Sequence, residues 1–220
     1  RPDVIMIFDS HWFTTGYHLI DGGARYSGMY ISDEMPWYLH GVPYDYCGLP
    51  ALAVAIEDVS REMRGYHRAI SHPDLGRQYP TINLIKQLRL EGAGLPVVTV
   101  SSCQNCEWPQ FLDSGVVIGE AIRRSDRRVL LLASGALSHK FNGIDWKPKH
   151  PRIFHESNVS RPENIASDKQ AIELFRQGRH DLILERWDAE YRTKPWEAFG
   201  AHYLQMLGAL SGAHANFELR

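Results

Sequence analysis

The sequence predicts an α/β fold: a single domain with a central mixed, mostly parallel sheet and helices on both faces. Three apolar runs and the helical stretches between them carry this prediction. Val4–Phe8 is continuous and partly β-branched, Leu95–Val100 repeats the pattern, and Arg128–Ala133 gives a third run. Unbroken rather than alternating hydrophobicity is the mark of strands covered on both faces, as in parallel sheets. Between them, Ala51–Glu62, Thr81–Leu90 and Gly115–Arg124 place apolar residues at helical spacing. Beyond the third run, residues 142–168 are rich in Pro, Asn and charge and read as a surface excursion. Asp168–Gly178, with Ser167 as its expected cap, His180–Asp188 and Ala198–Leu210 follow as helices, and Ala215–Leu219 as a short last strand.

Composition narrows the function classes. The chain has 220 residues, 44% hydrophobic and 23% charged, enough for one sizeable core. With 24 Lys+Arg against 26 Asp+Glu the formal charge is -2, so no summed positive field favours a nucleic acid or an anionic membrane. Three cysteines are too few for a disulfide framework and point to a reducing, cytoplasmic setting. No apolar run approaches the roughly 20 residues of a membrane span.

Several motifs are excluded. Asp9, Ser10 and His11 are the residue types of a hydrolase triad, but strand alternation turns the Ser10 hydroxyl away from His11. There is no Gly-x-Ser-x-Gly elbow, phosphate loop or dinucleotide fingerprint. Cys103-Gln104-Asn105-Cys106 has the spacing of a zinc knuckle or redox pair, yet with no second pair it reads as ordinary buried thiols. His155-Glu156 is followed by Val159, not by the second histidine of a zincin helix. Of the 11 histidines, His40, His150, His155 and His180 read as surface or packing residues. His11 differs because it closes a buried strand beside Asp9 and precedes Trp12 and Phe13, which are expected to shield it. In open α/β sheets ligands bind beyond the carboxyl ends of strands. A metal ligand and a satisfied core histidine are both consistent with that placement.

A set of ordered blocks goes further. Pro2–Thr15, Tyr30–Pro36, Val42–Asp45, Gly119–Ile122, Leu131–His139 and Phe199–Leu204 together resemble the class III extradiol ring-cleavage dioxygenases of the LigB type, over most of the chain. The resemblance implies a three-layer α/β/α domain holding Fe(II), or alternatively Mn(II), through two histidines and a glutamate. His11 then matches the second histidine and Glu197 the carboxylate. The first histidine is expected N-terminal to Arg1, and the chain is expected to lack its natural start and a loop near residues 211–213. Two imidazoles and a carboxylate on one face of Fe(II) leave positions for a catechol and O₂. His139 matches the family's acid/base histidine, the alternative being a structural histidine at a strand-to-helix turn. Gln78 departs from a histidine found in some members, which puts a role for the His72–Tyr79 segment in doubt. His202 reads either as a neighbour of the ligands or as part of a buried helix face. Trp12 and Cys103 are expected to line the substrate pocket, with Phe13, Tyr30, Trp37 and Tyr44 as further aromatic walls. The implied activity is cleavage of a catechol, 3,4-dihydroxyphenylacetate or a relative, to a ring-opened semialdehyde by a cytoplasmic homo-oligomer. A non-catalytic subunit of a two-subunit aminophenol or catechol dioxygenase, and a metal-dependent hydrolase, are the alternatives.

Overall fold

The computed structural model describes residues 1–211 apart from residues 34, 73–74, 76, 140–141, 153–154 and 160. The expected last strand at Ala215–Leu219 and the Gly212-Ala213 junction lie outside the described residues. The chain forms two compact units, one of Arg1–Gly135 with residues from Ala201 onward, the other of Ala136–Gly200.

The first unit contains, in order, β1 (Val4–Thr14), β2 (His18–Asp21), β3 (Arg25–Tyr30), β4 (Val42–Cys47), α1 (Pro50–Glu62), β5 (His67–Ile70), α2 (Tyr79–Gln87), α3 (Leu90–Ala93), β6 (Val97–Cys103), α4 (Trp108–Arg124) and β7 (Val129–Ala133). Five strands make one sheet in the order β5-β2-β6-β1-β7. β1 runs parallel to both β6 and β7, and β2 parallel to β5, while β2 meets β6 in antiparallel sense at Ile20–Val100. The mixed, mostly parallel α/β sheet is therefore as the apolar runs predict. β1 lies inside the sheet, between β6 and β7, and is apolar on both faces. Val4, Met6 and Phe8 join α1, α4 and the final helix in one core, while Ile5 and Ile7 join α2, α3 and the β3–β4 ribbon in the other.

The final helix, α8 (Ala201–Ser211), belongs to this unit and packs on α4 almost backbone to backbone. A Cβ on Gly115 would lie 2.1 Å from the Gln205 carbonyl oxygen, and one on Gly119 would lie 2.3 Å from that of Ala209. Only glycine admits this approach.

The second unit contains α5 (Glu156–Val159), α6 (Pro162–Arg176) and α7 (His180–Glu185), with 3₁₀ turns at Tyr191–Thr193 and Glu197–Gly200. Its aromatic centre gathers Trp187, Tyr191 and Trp196, with ring centroids 5.4–6.3 Å apart.

Element boundaries depart from the sequence reading where proline opens a helix. α6 begins at Pro162 rather than Asp168, so the surface excursion ends earlier, and Ser167 is buried inside the helix instead of capping it. Proline at the first helical positions needs no N–H partner there, which is why these starts lie upstream of the first apolar residue. α8 begins at Ala201 and not Ala198, because Ala198 and Phe199 adopt left-handed φ of 50° and 56°.

Candidate active site

β1 is the element that builds the first half of the site. Past Phe8 its register with β6 shifts before pairing resumes at Phe13. Within that irregular stretch Asp9 is fully buried, and it is satisfied by four donors. Its Oδ1 accepts the backbone N–H groups of His11 and Trp12 at 2.8 and 3.1 Å. Its Oδ2 accepts the Thr81 N–H at 3.2 Å and the Thr81 hydroxyl at 2.5 Å. Thr81 lies in the first turn of α2, so the carboxylate also meets the positive end of a helix. Burial pushes the Asp9 carboxyl above its usual range, opposed by these hydrogen bonds.

The turn presents His11 to solvent-accessible space. Its Nδ1 lies 3.0 Å from the Ser10 hydroxyl, and Tyr79 packs edge-on against the ring with centroids 4.3 Å apart. The Ser10–His11 contact corrects the expectation from strand alternation, because the broken register removes that alternation. It does not restore a hydrolase triad: the Asp9 oxygens are taken up by Thr81 and by backbone N–H groups. A hydroxyl on Nδ1 fixes the orientation of an imidazole, as second partners of metal-binding histidines do.

His11 lines a cavity of about 300 Å³ together with Met29, Tyr30, Ile31, Ser32, Asp33, Tyr44, Arg77, Gln78 and Tyr79. Tyr30 and Tyr44 are therefore in the wall, but the other expected aromatics are not. Trp12 is buried against a separate polar space of about 10 Å³, roughly one water, between Asp9, Asp21 and Thr81. Phe13 is 42% exposed and Trp37 80% exposed, and neither lines this cavity. Cys103 is buried at the end of β6 and does not line this cavity.

His202, on α8, is buried with its Nδ1 lacking a hydrogen-bond partner among the described residues. Burial, with a smaller contribution from the charge of His11, depresses its proton affinity to a pKa of about 3. Cys106 faces a different cavity of about 350 Å³ beside His18 and His67. There burial and Cys103 raise its thiol to about 12, so it carries no thiolate chemistry at neutral pH.

In the second unit Glu197 is buried in the 3₁₀ turn. Its Oε2 accepts the Ala136 N–H at 2.6 Å, while its own N–H donates to the Ala136 and Leu137 carbonyls at 3.3 and 3.2 Å. Three consecutive residues after it, Ala198, Phe199 and Gly200, have φ of 50°, 56° and 73°. Left-handed backbone at non-glycine positions costs about 1–2 kcal/mol each and concentrates at functional sites. His139 is exposed, and its N–H donates to the Pro195 carbonyl at 2.6 Å, next to the Ser138–Trp196 bridge. Glu197 and His139 are thus held by one pair of facing segments, 136–139 and 195–197. The sequence reading missed the Asp9 network and Arg77. A carboxylate ending an apolar run has to find donors, and this was the available signal.

The donor chemistry suits a divalent metal in part. An oriented imidazole and a backbone-held carboxylate are ligand types that Fe(II) and Mn(II) accept. Among the described residues, no group of three His, Cys, Asp or Glu side chains gathers to hold an ion.

An α/β sheet with a histidine-bearing cavity beside the C-terminal half of an inner strand, β1, has the form of a small-molecule site of the open-sheet type. The chain belongs to the LigB family, whose profile, described as the catalytic LigB subunit of aromatic ring-opening dioxygenase, matches residues 1–220. It is 29% identical over 180 residues to 3,4-dihydroxyphenylacetate 2,3-dioxygenase from Escherichia coli, covering 80% of this chain and 62% of that protein. It is 28% identical over 194 residues to the 2-aminophenol 1,6-dioxygenase beta subunit of a Pseudomonas species, covering 84% of this chain and again 62% of the relative. The chain thus spans less than two thirds of the length of these relatives. The crystal structure of an uncharacterised protein, JW3007, from Escherichia coli K12 shares the fold. Its TM-score is 0.63 at 19% identity, over 98% of this chain and 78% of that one. No described helix is long and apolar enough to cross a membrane.

Proposed function

We propose that the protein is an extradiol dioxygenase that opens a substituted catechol, 3,4-dihydroxyphenylacetate or a related compound, with O₂. The observation that carries this reading is the fixed imidazole of His11 on the wall of an aromatic-lined cavity, in a chain of the LigB family. His11 and Glu197 would hold an Fe(II), or alternatively Mn(II), with a further ligand from outside the described residues. When bound, the metal supplies the electronic path between catechol and O₂.

The rest is the work of this chain's side chains. Ser10 and Tyr79 set the orientation of His11, and Asp9 fixes the turn beneath it. Tyr79, packed against His11, flanks the flat ring of the substrate. His139, exposed on its segment, takes the proton from a catechol hydroxyl and returns it to the developing product. In the overall change the ring C–C bond beside the diol and the O–O bond break. Both oxygen atoms stay in the product, and the catechol supplies the electrons.

The chain works as a homo-oligomer in the cytoplasm in this reading. Its likeness to a beta subunit favours a two-subunit assembly as the second reading. The test is anaerobic reconstitution with Fe(II), metal analysis, and exposure to catechols under O₂. Close to one equivalent of iron and a yellow semialdehyde absorbance are expected. Less than a tenth of an equivalent of iron, with no colour from any catechol or aminophenol, would overturn it.

A further inference from the structure

The cavity beside His11 has a charge pattern that the substrate class alone does not explain. Its one described guanidinium, Arg77, is neutralised within the fold. Arg77 pairs with Asp21, with both side chains at 5% exposure or less. Its Nε and Nη2 donate to the Leu75 carbonyl at 3.3 and 2.9 Å. The guanidinium plane also lies 4.1 Å from the Tyr26 ring centroid. Tyr26 in turn donates its hydroxyl to Asp21. A carboxylate entering the cavity would find Arg77 already paired, with little net attraction left.

The remaining formal charge among the described lining residues, His11 aside, is the exposed carboxylate of Asp33. It shares the wall with the rings of Tyr30 and Tyr44 and with the Met29 thioether. Tyrosine rings with one carboxylate and, His11 aside, no unpaired cation among the described lining residues form an environment for an alkylammonium, which is drawn to aromatic quadrupoles and to the acid together. A carboxylate on the substrate would meet like charge at Asp33 and gain nothing from the rings.

We propose that this cavity selects catechols whose side chain carries a protonated amine over those whose side chain carries a carboxylate, with Asp33 and the Tyr30 and Tyr44 rings as the ammonium subsite. The proposal rests on the ring-cleavage reading for its substrate class but makes a separate statement about charge. It shifts the substituent away from the carboxylate of 3,4-dihydroxyphenylacetate.

The test compares three catechols of similar size: 4-(2-aminoethyl)catechol, neutral 4-ethylcatechol and 3,4-dihydroxyphenylacetate. With the iron-reconstituted full chain, kcat/KM should be highest for the amine and lowest for the acid. Asp33→Asn should lower the amine-to-ethyl ratio of kcat/KM by about fivefold to tenfold, the scale of one partly exposed charge contact and a cation–π contact. It should raise the acid-to-ethyl ratio. A preference for the acid, or a ratio unmoved by Asp33→Asn, overturns the proposal while leaving ring cleavage intact. If no catechol is cleaved, the ring-cleavage reading fails. Titration calorimetry with the amine and the acid on the wild-type chain and on Asp33→Asn then decides the subsite alone: equal affinities for the two ligands overturn it, and tighter binding of the amine that weakens in the variant supports it.

Discussion

His11 and Glu197 both sit where regular structure is interrupted, His11 at the register shift inside β1 and Glu197 in a 3₁₀ turn, yet the two places are stabilised in different ways. At His11 a separate residue holds the turn: the Asp9 carboxylate accepts four hydrogen bonds, and the imidazole itself is left on the cavity wall. At Glu197 the candidate ligand is itself the fastener, because its carboxylate accepts the Ala136 N–H and its backbone closes onto residues 136–137. That turn also stores strain in the left-handed residues that follow. The difference separates fold from function in the first unit and merges them in the second. A change at His11 should cost activity with little stability, whereas a change at Glu197 should cost both.

The sharpest way to break the comparison is Asp9→Ala. It strands buried donors on His11, Trp12 and Thr81, and should lower unfolding stability by about 3–5 kcal/mol in urea titrations. A loss below about 1 kcal/mol would mean that the turn is held by something else. Next is Gly200→Ala. A Cβ there would lie 2.6 Å from the Trp187 ring, at a φ of 73°, so about 3 kcal/mol is expected, read in the same titrations. Glu197→Ala should cost about 1–3 kcal/mol through the lost Ala136 bond and also abolish metal uptake. His11→Asn should abolish uptake while shifting stability by less than about 1 kcal/mol. Equal stability losses for these two variants would erase the distinction.

The pH dependence gives a finer test within the first unit. His202 and His67 are depressed to about 3 and His18 to about 4, chiefly by burial. These histidines stay neutral when folded and take up protons when unfolded, below a pKa of about 6.5. Their contribution is complete above pH 6.5 and is lost as pH falls from there to about 4 for His18 and about 3 for His67 and His202. The slope should approach about 1.4 kcal/mol per pH unit for each histidine that titrates only on unfolding. His202→Asn should flatten the loss measured by urea titration between pH 6.5 and 4.5; an unchanged slope would argue that His202 is protonated in the fold.

Much of this architecture is legible in the chain. β1, β6 and β7 announce themselves because strands covered on both faces need no polar alternation. β2 and β5 escape notice because each has four residues with buried histidines, His18 and His67. His67 bonds to Ser60 and Ser114, and His18 lies against Gln205 and the Ser101 carbonyl, partners that only the folded chain brings near. The β3–β4 ribbon is likewise hidden, its Arg25, Tyr26 and Tyr30 carrying no clear two-residue period. The start of α4 was signalled by Pro109 and by the capping box of Glu107 with Gln110, which lie ahead of the apolar periodicity that suggested Gly115. In the site, His11 could be picked out by its place at a strand end. The aromatic wall could not, since which of Phe13, Trp37, Tyr30 and Tyr44 faces His11 depends on a register shift and a ribbon that the local sequence does not encode.

The path of the chain through its two units carries one last implication. Residues 136–200 leave the first unit after Gly135 and return to it at Ala201, where α8 seats its glycine-lined backbone on α4. In architectural terms the second unit is an insertion in a host that owns both flanking ends. Such an arrangement lets evolution, or an engineer, exchange the segment bearing Glu197 while the histidine-bearing host keeps its own core.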